Sequence, residues 1–263
     1  MSGSKGFSMR KKIISTVLIA VIAVSVVFWV RHFSHKDNPR IPTTLQVVTT
    51  ADYPPMSFKQ DGKIIGFDID VVTEIARRLG KQIEIKDVLF EALIPYAKAE
   101  RAQIIAAGLA PTPDRQKEVD FTPPYLTSDQ LAIITLSSKS APAGTKDLEG
   151  KRVVVNTGYN ADAYLTKLSG IAIIRIPTLA DAVNFIKIGE ADAFVTARHT
   201  VGQILAQYGK ENFNVTFIPD AAEDTALGIS KAYPHLQKMV SETLLQMITD
   251  GTIEQLKQKW HVQ

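Results

Sequence analysis

The sequence predicts an α/β protein of about 220 residues, built from two similar lobes and preceded by one apolar helical segment. Strand-like apolar runs alternate with helix-like segments from residue 45 to residue 196, which is typical of largely parallel sheets covered by helices. A helix-to-strand unit at 92–107 resembles another at 178–196, and this repetition suggests two lobes of one shape. The first 42 residues form a separate, basic and apolar segment.

Composition limits the possible functions. The chain has 263 residues, of which 45% are hydrophobic and none is cysteine, so disulfides, thiolate metal sites and cysteine nucleophiles are excluded. Six basic and no acidic residues precede Asp37, and the remaining 24 basic residues face 27 acidic ones. The isoelectric point of about 8.9 therefore describes a short tail, and nucleic acid is not expected as a partner.

The N-terminal segment predicts export. Ile13–Val30 carries no charge and spans about 27 Å as a helix, nearly enough to cross a bilayer. Basic residues flank it on both sides, with a small excess before it. We expect an uncleaved membrane anchor, because the bulky residues after the weak cleavage site Ala23–Ser25 favour continuation. A cleaved signal peptide is the alternative, and a short polar linker follows at 35–43.

The first lobe is predicted from strand, turn and helix patterns in chain order. The hairpin at 58–65 is indicated by Asp61-Gly62 between apolar residues. The next helix has apolar residues at helical spacing, with Asp68 or Asp70 as its cap and Gly80 as its stop. The predicted elements are strand 45–50, hairpin 58–65, helix 69–79, strand 83–85, helix 91–99, strand 104–107, a short helix from 113 and strand 131–136.

The second lobe repeats this alternation. Its predicted elements are strand 152–155, helix 162–168, strand 172–176, helix 180–188 and strand 193–196. The C-terminal segment 234–260 has amphipathic spacing interrupted at Asp250-Gly251, which predicts two helices.

The segment 108–115 is the main candidate for a site. Thr112 suits an N-cap and Pro113 the first helical position, so a helix begins directly after a strand and its loop. Arg115 then lies at the carboxyl end of a strand, where open α/β sheets place their ligand crevice. Its planar guanidinium matches a carboxylate. A surface ion pair with Glu118 or Asp120 is the alternative.

A second candidate lies at the end of strand 152–155. Asn160 can cap the helix that follows, and the free N–H groups of that helix could bind an anion. Asn156 precedes the same turn, and an ordinary strand-to-helix connection remains the alternative. Tyr53 and Phe90 stand at strand ends and could form aromatic walls, although such residues are more often part of a core.

Signatures of catalysis and of metal binding are missing. The sequence has no His-Glu-x-x-His, Gly-x-Ser-x-Gly or phosphate-binding loop, and its five histidines are scattered. Asp68 and Asp70 are read as helix caps rather than as an acid–base pair. We therefore expect a non-catalytic protein without a cofactor or a metal.

Together these segments resemble the extracellular (periplasmic) solute-binding proteins of the polar amino-acid type, the binding components of ABC importers. The matching segments come in family order and cover nearly all of residues 44–263. They are Ala51–Phe58, Gly62–Val71, Leu93–Pro95, Ala107–Arg115, Val119–Tyr125, Gly150–Val155, Gly189–Ala193 and Asp250–Trp260.

The resemblance implies the type II periplasmic-binding-protein fold, in which two crossovers join two lobes around the ligand. Lobe 1 would comprise 43–126 and 227–263, and lobe 2 would comprise 127–226. By this likeness Arg115 clamps the ligand carboxylate, Tyr53 and Phe90 sandwich its side chain, Gly108 offers backbone contacts, and Asn156 and Asn160 close from lobe 2.

Two positions depart from the family pattern. Ala110 stands where Ser or Thr is usual, and Ala197 stands where an Asp usually pairs with the ligand ammonium. An unpaired buried ammonium costs several kcal/mol, so a free α-amino acid is a doubtful ligand. Arg198 either turns inward, where it would suit a dicarboxylate, or is a solvated surface charge; the outward orientation is favoured.

The expected function is an exported protein that closes around a small carboxylate-bearing ligand and delivers it to an ABC permease. The expected location is the periplasm, tethered to the inner membrane through Ile13–Val30. One alternative is a ligand-sensing module similar to the non-catalytic domain of membrane-bound lytic murein transglycosylases. Another is enzymatic activity, because some relatives of this fold are dehydratases.

Overall fold

The computed structural model describes residues 41–262. Within them the strands are β1 (Thr44–Thr49), β2 (Asp52–Tyr53), β3 (Ser57–Gln60), β4 (Lys63–Ile65), β5 (Gln82–Asp87), β6 (Ile104–Ile105), β7 (Asp120–Phe121), β8 (Leu126–Leu136), β9 (Arg152–Asn156), β10 (Ala172–Ile176), β11 (Ala193–Ala197), β12 (Phe213–Thr225) and β13 (Gly228–Ile229). The helices are α1 (Phe67–Arg78), α2 (Leu93–Lys98), α3 (Pro113–Glu118), α4 (Asn160–Leu165), α5 (Leu179–Lys187), α6 (Arg198–Tyr208), α7 (Pro234–Thr249) and α8 (Thr252–Trp260).

These residues form two five-stranded sheets, and we call the sheets with their helices lobe 1 and lobe 2. The sheet of lobe 1 has the order β5-β1-β6-β13-β7, and that of lobe 2 has the order β10-β9-β11-β8-β12. Strands β2, β3 and β4 make a small antiparallel sheet beside lobe 1. The predicted α/β architecture with two lobes is confirmed.

The sheets are less parallel than the sequence predicted. Strands β1, β5 and β6 pair in parallel, as do β9, β10 and β11, but β13 and the long pair β8–β12 run antiparallel to their neighbours. Strand β12 was not predicted, because Pro219 lies inside it. The structure tolerates this proline since β12 is an edge strand whose register shifts between Phe217 and Ala222.

Each lobe has its own apolar core. In lobe 1 the buried faces of β1 and β6 pack against α1, α2 and α7, with Leu45, Phe67 and Leu93 among the fully buried side chains. In lobe 2 separate clusters cover the two faces of the sheet, one around Phe194 and one around Val195. Burial on both faces explains why these strands read as continuous apolar runs.

Helix α1 corrects one prediction. Its N-cap is Gly66, with φ of 141°, and no side chain caps it. A Cβ at Gly66 would lie 2.3 Å from the carbonyl oxygen of Met56, so this close approach requires glycine. The expectation that Asp68 or Asp70 caps the helix is wrong: Asp68 is buried in lobe 1, and the Asp70 carboxylate accepts hydrogen bonds from α8.

The predicted anchor Ile13–Val30 and most of the predicted linker lie outside the described residues. Within residues 41–262, none of the helices combines the length and apolar character needed to cross a membrane.

Candidate ligand-binding site

The candidate site lies where the carboxyl ends of the parallel strands of both lobes meet. In lobe 1, β1 ends at Thr49 and β6 leads into Gly108; in lobe 2, β9 ends at Asn156 and β11 at Ala197. Open α/β sheets bind ligands in the crevice at this edge. Residues from the two lobes contact one another here.

Arg115 bridges the two lobes. Helix α3 begins at Pro113, and the Thr112 hydroxyl caps it by accepting the Arg115 N–H at 3.4 Å, as the sequence predicted. The guanidinium donates from Nη1 to the Ala110 carbonyl and to Asn160 Oδ1, and from Nη2 to the Gly158 carbonyl, each at 3.0 Å. Arg115 therefore points to lobe 2 and contacts the loop before α4.

One of the two alternative ion-pair partners of Arg115 is engaged elsewhere. Glu118 forms an ion pair with Lys98 on α2. The Arg115 guanidinium also lies over the Phe90 ring, 5.4 Å from its centroid. These oxygens and the aromatic face fix the guanidinium in position, and two of the oxygens, from lobe 2, use donors that an anion would otherwise accept.

The buried Asp68 side chain binds the backbone of the Gly108 loop. Its carboxylate accepts the Gly108 N–H at 2.5 Å and the Tyr125 hydroxyl at 2.8 Å. Complete burial raises the pKa of Asp68 to about 6, because desolvation disfavours the charged form. Gly108 has φ of 61°, and a Cβ there would come within 3.0 Å of the Tyr53 ring.

Three aromatic rings fill the cleft between the lobes. The rings of Phe90 and Tyr159 stack with a centroid separation of 4.0 Å and an angle of 25°. Tyr53 meets Tyr159 edge-on at 4.7 Å. All three side chains are buried, and Tyr159, although it belongs to lobe 2, is part of the core cluster of lobe 1.

The two predicted asparagines behave differently. Asn160 Oδ1 accepts a hydrogen bond from Arg115, whereas Asn156 Nδ2 donates within lobe 2 to the Ile176 carbonyl at 3.3 Å. The prediction that Asn160 caps the following helix is wrong, because α4 already begins at Asn160 without a side-chain cap. Asp162 instead accepts the Gly158 N–H at 2.9 Å.

Sequence reasoning missed Tyr159 and a buried pair behind Tyr53. His199 Nδ1 lies 2.5 Å from Asp129 Oδ2, and both side chains are buried. The His199 ring meets Tyr53 edge-on at 5.1 Å, and its Nε2 atom has no hydrogen-bond partner among the described residues. An aromatic residue between Asn156 and Asn160 was the available signal for Tyr159; the paired histidine had none.

The positions that depart from the family pattern are apolar and buried. Ala110 is 2% exposed and Ala197 is 5% exposed. Arg198 donates to Gln130 Oε1 at 3.1 Å and lies over the partly exposed Phe217 ring, 4.6 Å from its centroid. Its charge is thus engaged by β8 and β12 of lobe 2.

One cavity between the two lobes is small. The cavity lined by Tyr53, Tyr159 and Ala197 has a volume of about 10 Å³, which is about the space that one water needs. A larger groove of about 530 Å³ is lined by Lys139, Lys151 and Ala193. It lies at the amino ends of β9 and β11, the opposite edge of the lobe 2 sheet, so we do not assign the site there.

A fold of two α/β lobes whose strand ends meet at a crevice defines the class of two-lobed proteins that close around a small solute. The chain belongs to the bacterial extracellular solute-binding proteins, family 3, whose model matches residues 45–263. The resemblance seen in the sequence is confirmed.

Individual proteins agree with this assignment. The arginine-binding extracellular protein ArtP of Bacillus subtilis (strain 168) is 32% identical over 220 residues, which cover 81% of this chain and 84% of that protein. A probable amino-acid ABC transporter-binding protein of Haemophilus influenzae is 28% identical, covering 96% of this chain and 97% of that protein. The structure of an ancestral arginine-binding protein bound to arginine matches with a TM-score of 0.79 and 28% identity, covering 84% and 99% of the two chains.

Proposed function

We propose that this protein closes around a small carboxylate-bearing ligand and delivers it to an ABC importer. The observation that carries the proposal is Arg115, whose guanidinium reaches from lobe 1 to Gly158 and Asn160 of lobe 2. A ligand carboxylate bound there contacts both lobes at once, and such contacts favour the closed state. The Haemophilus relative, named as an ABC transporter-binding protein, supports delivery to a permease.

The ligand class that we propose is supported by the site and by the relatives. Similar proteins are named for arginine and for amino acids in general, which supports an amino-acid-like ligand. Ala110 and Ala197 provide no side-chain partner for an ammonium group, so we propose a carboxylate whose amino group is absent, modified or held by backbone carbonyls.

Binding without catalysis is the function we propose. The relatives described above are named as binding proteins. They favour solute delivery over the sensing of cell-wall fragments.

Substitution of Arg115 tests the site. We expect Arg115→Ala to weaken ligand binding about 100-fold, because a charge-assisted bidentate contact contributes about 3 kcal/mol.

A thermal-shift screen against amino acids, dicarboxylates and muropeptides identifies the ligand, and calorimetry measures its affinity. Arg152→Ala, which removes an exposed partner of Asp192 on lobe 2, is the matched control and should bind normally. Undiminished binding by Arg115→Ala would refute the assignment.

We propose that the protein lies in the periplasm and is tethered to the inner membrane. The support is the uncharged segment Ile13–Val30 with its basic flanks. Fractionation of cells that produce the full chain distinguishes the two forms of export: a tethered protein sediments with membranes at full mass, whereas a shortened soluble product that starts near Val26 would show cleavage.

A further inference from the structure

We propose that Tyr159 takes the place of the ligand side chain in the closed cleft, so that the cleft closes without a ligand and an incoming ligand must displace this ring. Tyr159 would then determine affinity and specificity through competition. The displacement step rests on the proposed function; closure without a ligand does not.

The position of the Tyr159 ring is the first argument. It lies against Phe90 and Tyr53, the two aromatic residues expected to sandwich a ligand side chain, at centroid distances of 4.0 and 4.7 Å. Tyr159 is 6% exposed and packs within the core cluster of lobe 1. A lobe 2 residue thus packs its ring into the core of lobe 1.

The residues on either side of Tyr159 are the second argument. The Gly158 carbonyl and Asn160 Oδ1 each accept a hydrogen bond from Arg115 at 3.0 Å. These oxygens occupy donors that a ligand carboxylate would use. The segment Gly158–Asn160 therefore places oxygen acceptors at Arg115 and an aromatic ring against Phe90 and Tyr53. A ligand is expected to contribute the same two kinds of group, a carboxylate and a side chain.

The remaining volume is the third argument. The cavity beside Tyr53 and Tyr159 measures about 10 Å³, whereas sites for small organic ligands occupy hundreds of Å³. A small organic ligand does not fit into this cavity unless a side chain moves. Tyr159 can move with lobe 2, because its backbone belongs to the loop between β9 and α4.

Spin-label distances test closure without a ligand. The chain has no cysteine, so cysteines introduced at Asp114 and Lys167 are unique labelling sites. Asp114 is an exposed residue of α3 in lobe 1, and Lys167 is exposed just after α4 in lobe 2. The doubly labelled full-length chain is unfolded, dialysed to remove any bound solute, refolded in mild detergent and measured by double electron–electron resonance with no solute added.

The expected result is one short, narrow distance distribution when Tyr159 is present. In the same labelled background, Tyr159→Ser should give a broader distribution whose mean is longer by about 5 Å or more, the scale of a hinge opening. The matched control Tyr159→Phe retains the ring stack and should stay short. Tyr159→Leu keeps apolar bulk without the stack and replaces Tyr159→Ser if that variant does not fold.

Identical distributions for the unsubstituted chain and Tyr159→Ser would overturn the inference, as would a long distance in the unsubstituted chain. Because no solute is added, this outcome is independent of the calorimetric test on Arg115. The proposed function fails if Arg115→Ala still binds, and the inference on Tyr159 fails if the ligand-free distances do not depend on its ring.

Discussion

At the scale of single residues, Asp68 links the core of lobe 1 to the candidate site. One carboxylate oxygen accepts the Gly108 N–H of the site loop, and the other accepts the Tyr125 hydroxyl. The group is fully buried, so ionisation costs desolvation energy that two hydrogen bonds offset only in part. The orientation of Gly108 therefore depends on a residue that does not itself contact the ligand in our proposal.

The raised pKa of Asp68 predicts a specific dependence of stability on pH. Its folded pKa of about 6 exceeds the ordinary value near 4, so the native state holds a proton that the unfolded chain releases. The free energy of unfolding should fall by about 2–3 kcal/mol as pH rises from about 4 to about 6. Urea unfolding across this range, compared with Asp68→Asn, measures the difference.

The titration of Glu74 at lower pH provides an internal control for the pH dependence of Asp68. Arg77 and Arg78 hold the pKa of Glu74 at about 2, so its contribution to stability is lost as pH falls below about 4.5. Glu74→Gln should lower the free energy of unfolding by a constant amount above about pH 4.5 and should change its pH dependence only in the acidic range below that value. If unfolding free energies of Asp68→Asn and the parent chain run parallel between pH 4 and 6, the carboxyl group does not titrate as described.

Single residues also show what sequence can reveal about a site. Arg115 was predicted because Thr112 and Pro113 mark the helix start locally, within three residues. The role of Asp68 was not predicted, because its partners Gly108 and Tyr125 lie 40 and 57 residues away in the sequence. A polar residue near a helix start reads as a cap until the fold brings a distant donor to it.

At the scale of elements, Asp70 of α1 holds the C-terminal end of α8, while Arg78 of α1 donates to Thr252 at its start. Asp70 Oδ2 accepts hydrogen bonds from Trp260 Nε1 at 2.6 Å and from Lys259 Nζ at 2.7 Å. The Trp260 ring also meets Phe58 edge-on at 5.8 Å. The C-terminal helix is thereby fixed to the start of lobe 1, which the two-helix pattern of the sequence did not indicate.

A double-mutant cycle measures this attachment. Asp70→Asn and Trp260→Phe should each destabilise the protein, with a coupling energy of about 1–2 kcal/mol because the acceptor is charged. Chemical unfolding of the four variants gives the coupling. Lys238→Ala on α7, which removes an exposed partner of Glu242, is the control and should be nearly neutral. Additive effects of the two substitutions would mean that the indole–carboxylate bond is not formed.

Elements with strong local periodicity were predicted, and those that depend on tertiary pairing were not. The helix after β11 begins at Arg198 without a side-chain cap, so no start signal marked it. Strand β12 contains Pro219 and is stabilised by pairing with β8. Both elements lie in lobe 2, where long-range contacts override local preference.

At the scale of the whole molecule, the residues named for the candidate site all lie within residues 41–262. Arg115, Asn160 and the three aromatic residues all belong to this unit. We therefore expect the fragment 41–263 to bind ligand with the same affinity, within about a factor of two, as the full chain in detergent. Calorimetry on both forms tests this expectation. A markedly weaker fragment would indicate that the first 40 residues contribute to binding.

The overall fold was more accessible to sequence reasoning than the state of the cleft. The alternating elements predict the α/β lobes, and the motif Thr112–Arg115 predicts a helix start with a cation at a strand end, because each signal lies within a short segment; the clamp role came from the family resemblance. The contact between Tyr53 and Tyr159 joins residues more than 100 positions apart, and no local pattern encodes it.

Membership of Tyr159 in the lobe 1 core has a thermodynamic consequence. Separation of the lobes transfers its ring, and the faces of Phe90 and Tyr53 that it covers, into water. Hydration of apolar surface increases heat capacity, so the balance between open and closed molecules should vary with temperature in a curved rather than a linear way. Sulfate and other excluded salts should favour the closed form, with no solute present at all.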